Sequence, residues 1–285
     1  MSVDQLQNRI RKLKNPSMVA FSLNESQIPH SYLEGNSLCD ANFRYAGDLL
    51  TTLKDAVAAV RFSFGTYVLQ GAEGLDSLKR LLTLAKEQGY YVLLDAPEFY
   101  SPADAGQIAR TLFDKWTFDG LTINCCLGSD GLKPFLECLK DSDKDLFALL
   151  RTGNKSASEI QDLLTGTRLV YTAVADMAAR LGEGHMGKCG YSRVAGVGPA
   201  TSIDSLRTLR SKYPNLFILI DGYDYSGANA KNCSAAFDKL GHGAIACAGS
   251  SVVAAWQETR GEGVASAVEA AERMKKNLTR YITIL

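Results

Sequence analysis

Eight short apolar runs, each followed by a stretch long enough for a helix, constrain this chain more than any other feature. They are "MVAFSL" (18–23), "AVAAVRF" (56–62), "YYVLLDA" (90–96), "DGLTINC" (119–125), "LFALLRT" (146–152), "RVAGVGP" (193–199), "LFILIDG" (216–222) and "GAIACAG" (243–249). Between them lie amphipathic patterns of helical period, such as "LDSLKRLLTLAKEQG" (75–89), "SIDSLRTLRSKY" (202–213) and "ASAVEAAERMKKNLTRYI" (265–282). Strands that are apolar at nearly every residue are buried on both faces, as in a parallel sheet wrapped by helices. Eight such alternations in 285 residues read as an α/β chain folded into a (β/α)8 TIM barrel, with an open doubly wound sheet as the alternative. Nothing rich in Pro, Gly or Ser and no charge block interrupts the pattern. Residues 1–285 are therefore expected to form a single domain.

Composition narrows the partners. Basic and acidic residues balance at 31 each, which argues against nucleic acid, whose phosphates require a concentrated basic face. The short basic cluster "RIRKLK" (9–14) reads as the solvated face of a leading helix. No apolar run approaches the ~18 residues of a membrane span, and the first twenty residues lack an apolar signal core. A cytoplasmic protein with no membrane partner is expected. The seven cysteines are odd in number and contain no CxxC pair, so neither zinc spacing nor a redox motif is present. Cys125–Cys126 reads as two small, buried or half-buried residues at a strand end. The three histidines, 30, 185 and 242, share no spacing with a nucleophile.

In a barrel, function gathers past the carboxyl ends of the strands. Those positions carry Ser22 and Asn24, Arg61, Asp95, Thr122 and Asn124, "RTGN" (151–154), "DGYDYSG" (221–227) and "AGSS" (248–251). The turns after the seventh and eighth strands, where barrels commonly hold phosphate, contain Gly222, Gly227 and Gly249. They also contain Asp221 and Asp224, whose charge opposes a phosphate.

"DGLTINCCLGSDGLKPFLE" (119–137), "LLRTGNKSASEIQDL" (149–163), "GKCGYSRVAGVGPAT" (187–201) and "ILIDGYDYSG" (218–227), with the opening "RIRKLKNPSMVAFSL" (9–23), resemble orotidine 5′-monophosphate decarboxylase of the longer bacterial type. The resemblance covers nearly the whole chain in order. It implies a (β/α)8 barrel homodimer with sites at the subunit interface, a lyase of pyrimidine biosynthesis that uses no cofactor and no metal. It also implies an array of alternating lysines and aspartates. A lysine ends the second strand, and an Asp-x-Lys-x-x-Asp segment follows the third, its lysine protonating the ring carbon as carbon dioxide leaves.

Position by position, the chain departs from that array. The second-strand lysine matches Arg61 and the first aspartate matches Asp95; these two are the candidate catalytic residues. The proton-donating lysine matches Pro97 and the interface aspartate matches Tyr100. The ribose-contacting aspartate matches Ser22, the base-reading serine matches Gly153, and the phosphate-clamping arginine matches Ser250. Thr122, Asn124, Thr152, Asn154, Gly222, Tyr223 and Gly227 remain as candidate substrate-binding residues. Proline holds no transferable proton, so the inherited general acid is absent.

The expectation is a family member that has lost decarboxylation and serves as a pseudoenzyme or partner subunit, in a homodimer or a heterodimer with an intact decarboxylase paralogue. Three other readings stand beside it. Asp95, Glu98, Asp221 and Asp224 form an oxygen-rich cluster suited to a divalent cation in a diverged enzyme. The acidic mouth suits a sensor of an uncharged or cationic small molecule. The last reading is a still-active decarboxylase. Arg61–Asp95 also reads as a plain ion pair, and Phe99, Tyr100 and Tyr225 as aromatics at a dimer interface.

Overall fold

A computed structural model describes residues 2–97, 101–259 and 261–285. Eight parallel strands close into a barrel: β1 (Ser17–Phe21), β2 (Ala59–Ser63), β3 (Tyr91–Asp95), β4 (Gly120–Asn124), β5 (Asp145–Leu149), β6 (Val194–Pro199), β7 (Ile218–Asp221) and β8 (Ala244–Ala248). Each pairs with its sequence neighbours, and β1 closes on β8 with Ser17 opposite Ala246. The (β/α)8 expectation is met, and the open doubly wound alternative is not. All eight apolar runs extend beyond their strands at one end or both. "LFALLRT" runs furthest past a carboxyl end, because β5 ends at Leu149 and the chain then turns into a long excursion.

The long helices are α1 (Ser2–Leu13), α2 (Leu38–Leu53), α3 (Gly71–Glu87), α4 (Ala105–Lys115), α5 (Ser129–Lys140), α6 (Val170–Gly182), α7 (Ile203–Lys212) and α8 (Gly263–Thr279). Their apolar stripes face the barrel: Leu78, Leu81 and Leu82 in α3, and Ala267, Ala270, Ala271, Met274 and Leu278 in α8, are buried. A two-strand hairpin, Leu164–Thr165 against Arg168–Leu169, belongs to the excursion after β5.

The leading helix is more than a solvated face. α1 lies under the barrel with Val3, Leu6 and Ile10 buried. Its polar side chains satisfy backbone groups at the lower end, where strand starts leave donors and acceptors unpaired. Gln7 accepts from the Gly243 N–H (3.0 Å), Asp4 from the Cys189 N–H (2.8 Å), and Arg9 donates to the Gly89 carbonyl (2.7 Å). Inside the lower barrel, Tyr91, Phe147 and Phe217 pack edge to face, with ring centroids 6.4 and 6.5 Å apart. Gly120 makes room for them: a Cβ there would lie 2.6 Å from the Tyr91 hydroxyl and 2.7 Å from the Phe147 ring.

Asp145 is buried in this lower layer. It accepts from the Tyr91 hydroxyl (2.8 Å), and Arg193 approaches only to 3.7 Å because its guanidinium donates to the Lys144 and Ser142 carbonyls. Burial dominates the bonds from Tyr91 and Ser2 and the charge of Arg193, and raises the carboxyl to about 7. Between the ordinary carboxyl range and about pH 7, the folded chain keeps a proton that the unfolded chain releases. Stability from this group is therefore lost as pH rises through that window, with a slope of at most about 1.4 kcal/mol per pH unit. Urea melts from pH 4 to 8 should show Asp145→Asn gaining on the wild type as pH rises to about 7 and holding level beyond. A difference that is flat across the window would refute it.

Candidate functional site

The upper mouth is organised by Arg61. It projects from the middle of β2 and donates through one terminal nitrogen to Asp95, at the end of β3, and through the other to Asp221, at the end of β7 (2.5 Å). Its side chain is 18% exposed. Burial works against the guanidinium charge, but the Asp95 and Asp221 carboxylates outweigh it and hold its pKa well above the ordinary value. Asp95 is held from the other side as well. The hydroxyl of Thr122, paired beside it on β4, donates to Asp95 Oδ1 (2.5 Å) and accepts from the Ala96 N–H (2.9 Å). Each Asp95 oxygen thus has a partner.

A cavity of about 260 Å³ lies beside this network, lined by Ala20, Ser22, Gln27, Arg61, Asp221, Gly222, Asp224, Tyr225, Cys247, Gly249, Ser250 and Val253. It contains one of the expected catalytic residues, Arg61, and one of the expected substrate-binding residues, Gly222. Asp95 and Thr122 stand behind Arg61. The others are turned elsewhere. Asn124 accepts from the Cys126 N–H in its own turn (2.9 Å) and faces a separate small hollow beside Ala96 and Leu127. Thr152 donates to the Asn154 side chain (2.5 Å) and bonds Gln161, so this pair is satisfied within the excursion after β5. That excursion is clamped at its base by Arg151, which holds both oxygens of Asp162 at 2.8 and 2.7 Å. Tyr223 packs against the core and meets Asn277 of α8. Gly227 sits at φ +89° and its carbonyl accepts from Asn232 (3.2 Å).

Tyr225 does what sequence reasoning missed. Its ring lies over the bare backbones of two glycines, where a Cβ on Gly222 would meet it at 2.5 Å and one on Gly153 at 3.0 Å. The expectation that Gly153 merely lacks a base-reading hydroxyl is therefore incomplete: its missing side chain is the space that Tyr225 occupies. Asp221, then burial, push the Tyr225 hydroxyl up from its usual range. Two glycines flanking an aromatic were visible in the sequence, but only as separate loop residues.

The oxygen-rich cation cluster does not assemble among the described residues, where no group of three or more His, Cys, Asp or Glu is placed to hold a metal. The physical reason is Arg61, whose positive charge stands between Asp95 and Asp221. Glu98, Phe99 and Tyr100 lie outside the described residues. Pro97 is half-buried next to them. Of the vicinal cysteines, Cys125 is buried and Cys126 exposed.

A closed eight-stranded parallel barrel wrapped by helices, with charged groups and a cavity at the carboxyl ends of its strands, is a (β/α)8 barrel. Residues 42–256 match the model of the orotidine 5′-phosphate decarboxylase / HUMPS family. The chain belongs to that family. It is 29% identical over 259 residues to the orotidine 5′-phosphate decarboxylase of Clostridium novyi (strain NT), covering 90% of each chain. It is 30% identical over 262 residues to that of Clostridium kluyveri, covering 90% of this chain and 89% of the relative. Among solved structures, the Leishmania donovani OMP decarboxylase superposes with a TM-score of 0.77 at 23% identity, covering 99% of both chains. The Plasmodium berghei orotidine 5′-monophosphate decarboxylase superposes at 0.80 with 14% identity, covering 98% of both. These two likenesses speak to the fold. No helix among the described residues is long and apolar enough to cross a membrane.

Removing Arg61 should leave two carboxylates facing each other in a poorly solvated mouth. Arg61→Met is expected to lower unfolding free energy by about 3 kcal/mol, the cost typical of breaking a buried pair from one side. A loss below about 1 kcal/mol in equilibrium denaturation would show that the pair is dispensable to the fold.

Proposed function

We propose that this barrel is a family member that no longer decarboxylates orotidine 5′-monophosphate and acts as a non-catalytic subunit beside a catalytically intact one. Pro97 carries the reading. It stands two residues beyond Asp95, where the resemblance puts the lysine that protonates the ring carbon. A general acid must hold a proton it can release, and proline has none. Arg61 is no substitute. A guanidinium does not release its proton near neutrality, and both its terminal nitrogens are engaged by Asp95 and Asp221. No lysine lines the cavity among the described residues.

The binding side supports the same reading. Ser250 stands where the resemblance puts the arginine that clamps phosphate, and a hydroxyl cannot make the bidentate, charge-assisted contact of a guanidinium. Asp95, Arg61, Thr122 and Gly222 are read as a structural remnant of the inherited site. Asn124, Thr152, Asn154, Tyr223 and Gly227 are read as parts of its surrounding loops. The family's pairing of barrels gives such a remnant a use, since a pseudo-subunit contributes surface to an active neighbour.

The relatives carry the decarboxylase name, so turnover is the outcome an assay must exclude. Purified protein incubated with orotidine 5′-monophosphate should release no carbon dioxide above the buffer blank. Robust turnover that disappears on Asp95→Ala would overturn the proposal. Light scattering after mixing with an intact paralogue should reveal a mixed dimer; a homodimer indifferent to the paralogue would remove the subunit role.

A further inference from the structure

The turns after the seventh and eighth strands of a barrel are a common phosphate site, because their backbone N–H groups converge on one point. In this chain that point is taken. Asp224, in the loop after β7, places Oδ2 on the N–H groups of Gly249 (2.7 Å) and Ser251 (3.0 Å), with the Ser250 hydroxyl at 3.4 Å. Its other oxygen, Oδ1, is closed off from solvent and has no hydrogen-bond partner among the described residues. Holding half a carboxylate that way costs free energy, so local stability alone does not account for an acid here. The neighbouring residue completes the arrangement, since Tyr225 lies across Gly222 and Gly153 at the same mouth.

We infer that Asp224 is a specificity-determining residue, a resident anion that occupies the amides a phosphate group would use and restricts the mouth to ligands without a phosphate. The inference rests on the reading of the altered mouth given above and deepens it by naming the class of ligand refused. Occupation and charge act together: an incoming phosphate must displace one carboxylate while approaching a second, Asp221. The cavity beside them, about 260 Å³, falls just below the ~300–1,000 Å³ usual for drug-sized ligands, so what remains open suits a compact molecule.

Occupation and charge separate by substitution. Asp224→Ala frees the Gly249 and Ser251 N–H groups, whereas Asp224→Asn removes the charge and keeps an oxygen able to accept from them. Full-length wild type and both variants are titrated with inorganic phosphate by calorimetry, with the Gly249 and Ser251 amide resonances followed by NMR. Asp224→Ala should bind phosphate at least tenfold more tightly than wild type, with those two resonances moving, and Asp224→Asn should gain much less. Equal affinity of Asp224→Ala and wild type, or an equal gain in both variants, would overturn the inference. So would tight phosphate binding at these amides in the wild type, a measurement that stands even where a variant fails to fold. Should circular dichroism show Asp224→Ala unfolded, Asp224→Gly takes its place. Turnover of orotidine 5′-monophosphate by wild type strikes the proposed function, whereas the phosphate titration strikes only the role of Asp224.

Discussion

One guanidinium shared by two carboxylates is the constraint around which the upper barrel is arranged. Arg61 ties β2 to its neighbour β3 through Asp95 and reaches across the mouth to β7 through Asp221. A buried ion pair is not by itself a source of stability, because removing charges from water costs as much as their attraction returns. Its effect here is on geometry. With Arg61 fixed, the Asp95 carboxylate is oriented, Thr122 bridges it to the Ala96 N–H, and the end of β3 is set where the chain enters "PEFYSP". The same cation stands between Asp95 and Asp221, two of the acids of the cluster expected from the sequence.

The loop after β7 supplies the second layer of control by packing and hydrogen bonding. Gly222 adopts φ +77°, a left-handed conformation that favours glycine, and its bare backbone receives the Tyr225 ring. Asp224 turns the other way, onto the amides after β8. Two consecutive residues therefore close two parts of the mouth, one by ring contact and one by a carboxylate.

Most of the fold was legible because its causes are local and repeated. Runs such as "LFILIDG" and "GAIACAG" are apolar at nearly every residue, and only a sheet covered on both sides accepts that. Their ends were less legible: "LFALLRT" stays apolar through Leu150, one residue past the last paired one, and pairing depends on a neighbour's register rather than on apolarity. The leading helix was read from its basic residues and so placed in solvent, while Val3, Leu6 and Ile10, spaced on one face, carried the true signal. In the site, Asp95 and Asp221 were recognisable as strand-end acids, and Arg61 as the one charge in an apolar run, although β2 continues past it to Ser63. The roles of Tyr223 and Tyr225 were not, because both are tyrosines in one loop and nothing local states which turns toward α8 and which toward the mouth.

The sequence by itself determined the barrel, its family, and the absence of a transferable proton at Pro97, since each follows from residue type and order along the chain. Tertiary structure alone decided that Arg61 serves two acids, the farther of them 160 positions along the chain, that Gly153 and Gly222 leave room for one ring, and that Asp224 answers the amides of Gly249 and Ser251. The physical reason is the closure of the sheet. Only when β1 pairs with β8 do the ends of β2, β3 and β7 and the turn after β8 face one another across a single mouth. At that range, direction and distance decide whether an acid is a ligand for a cation, a partner for an amide or a source of repulsion.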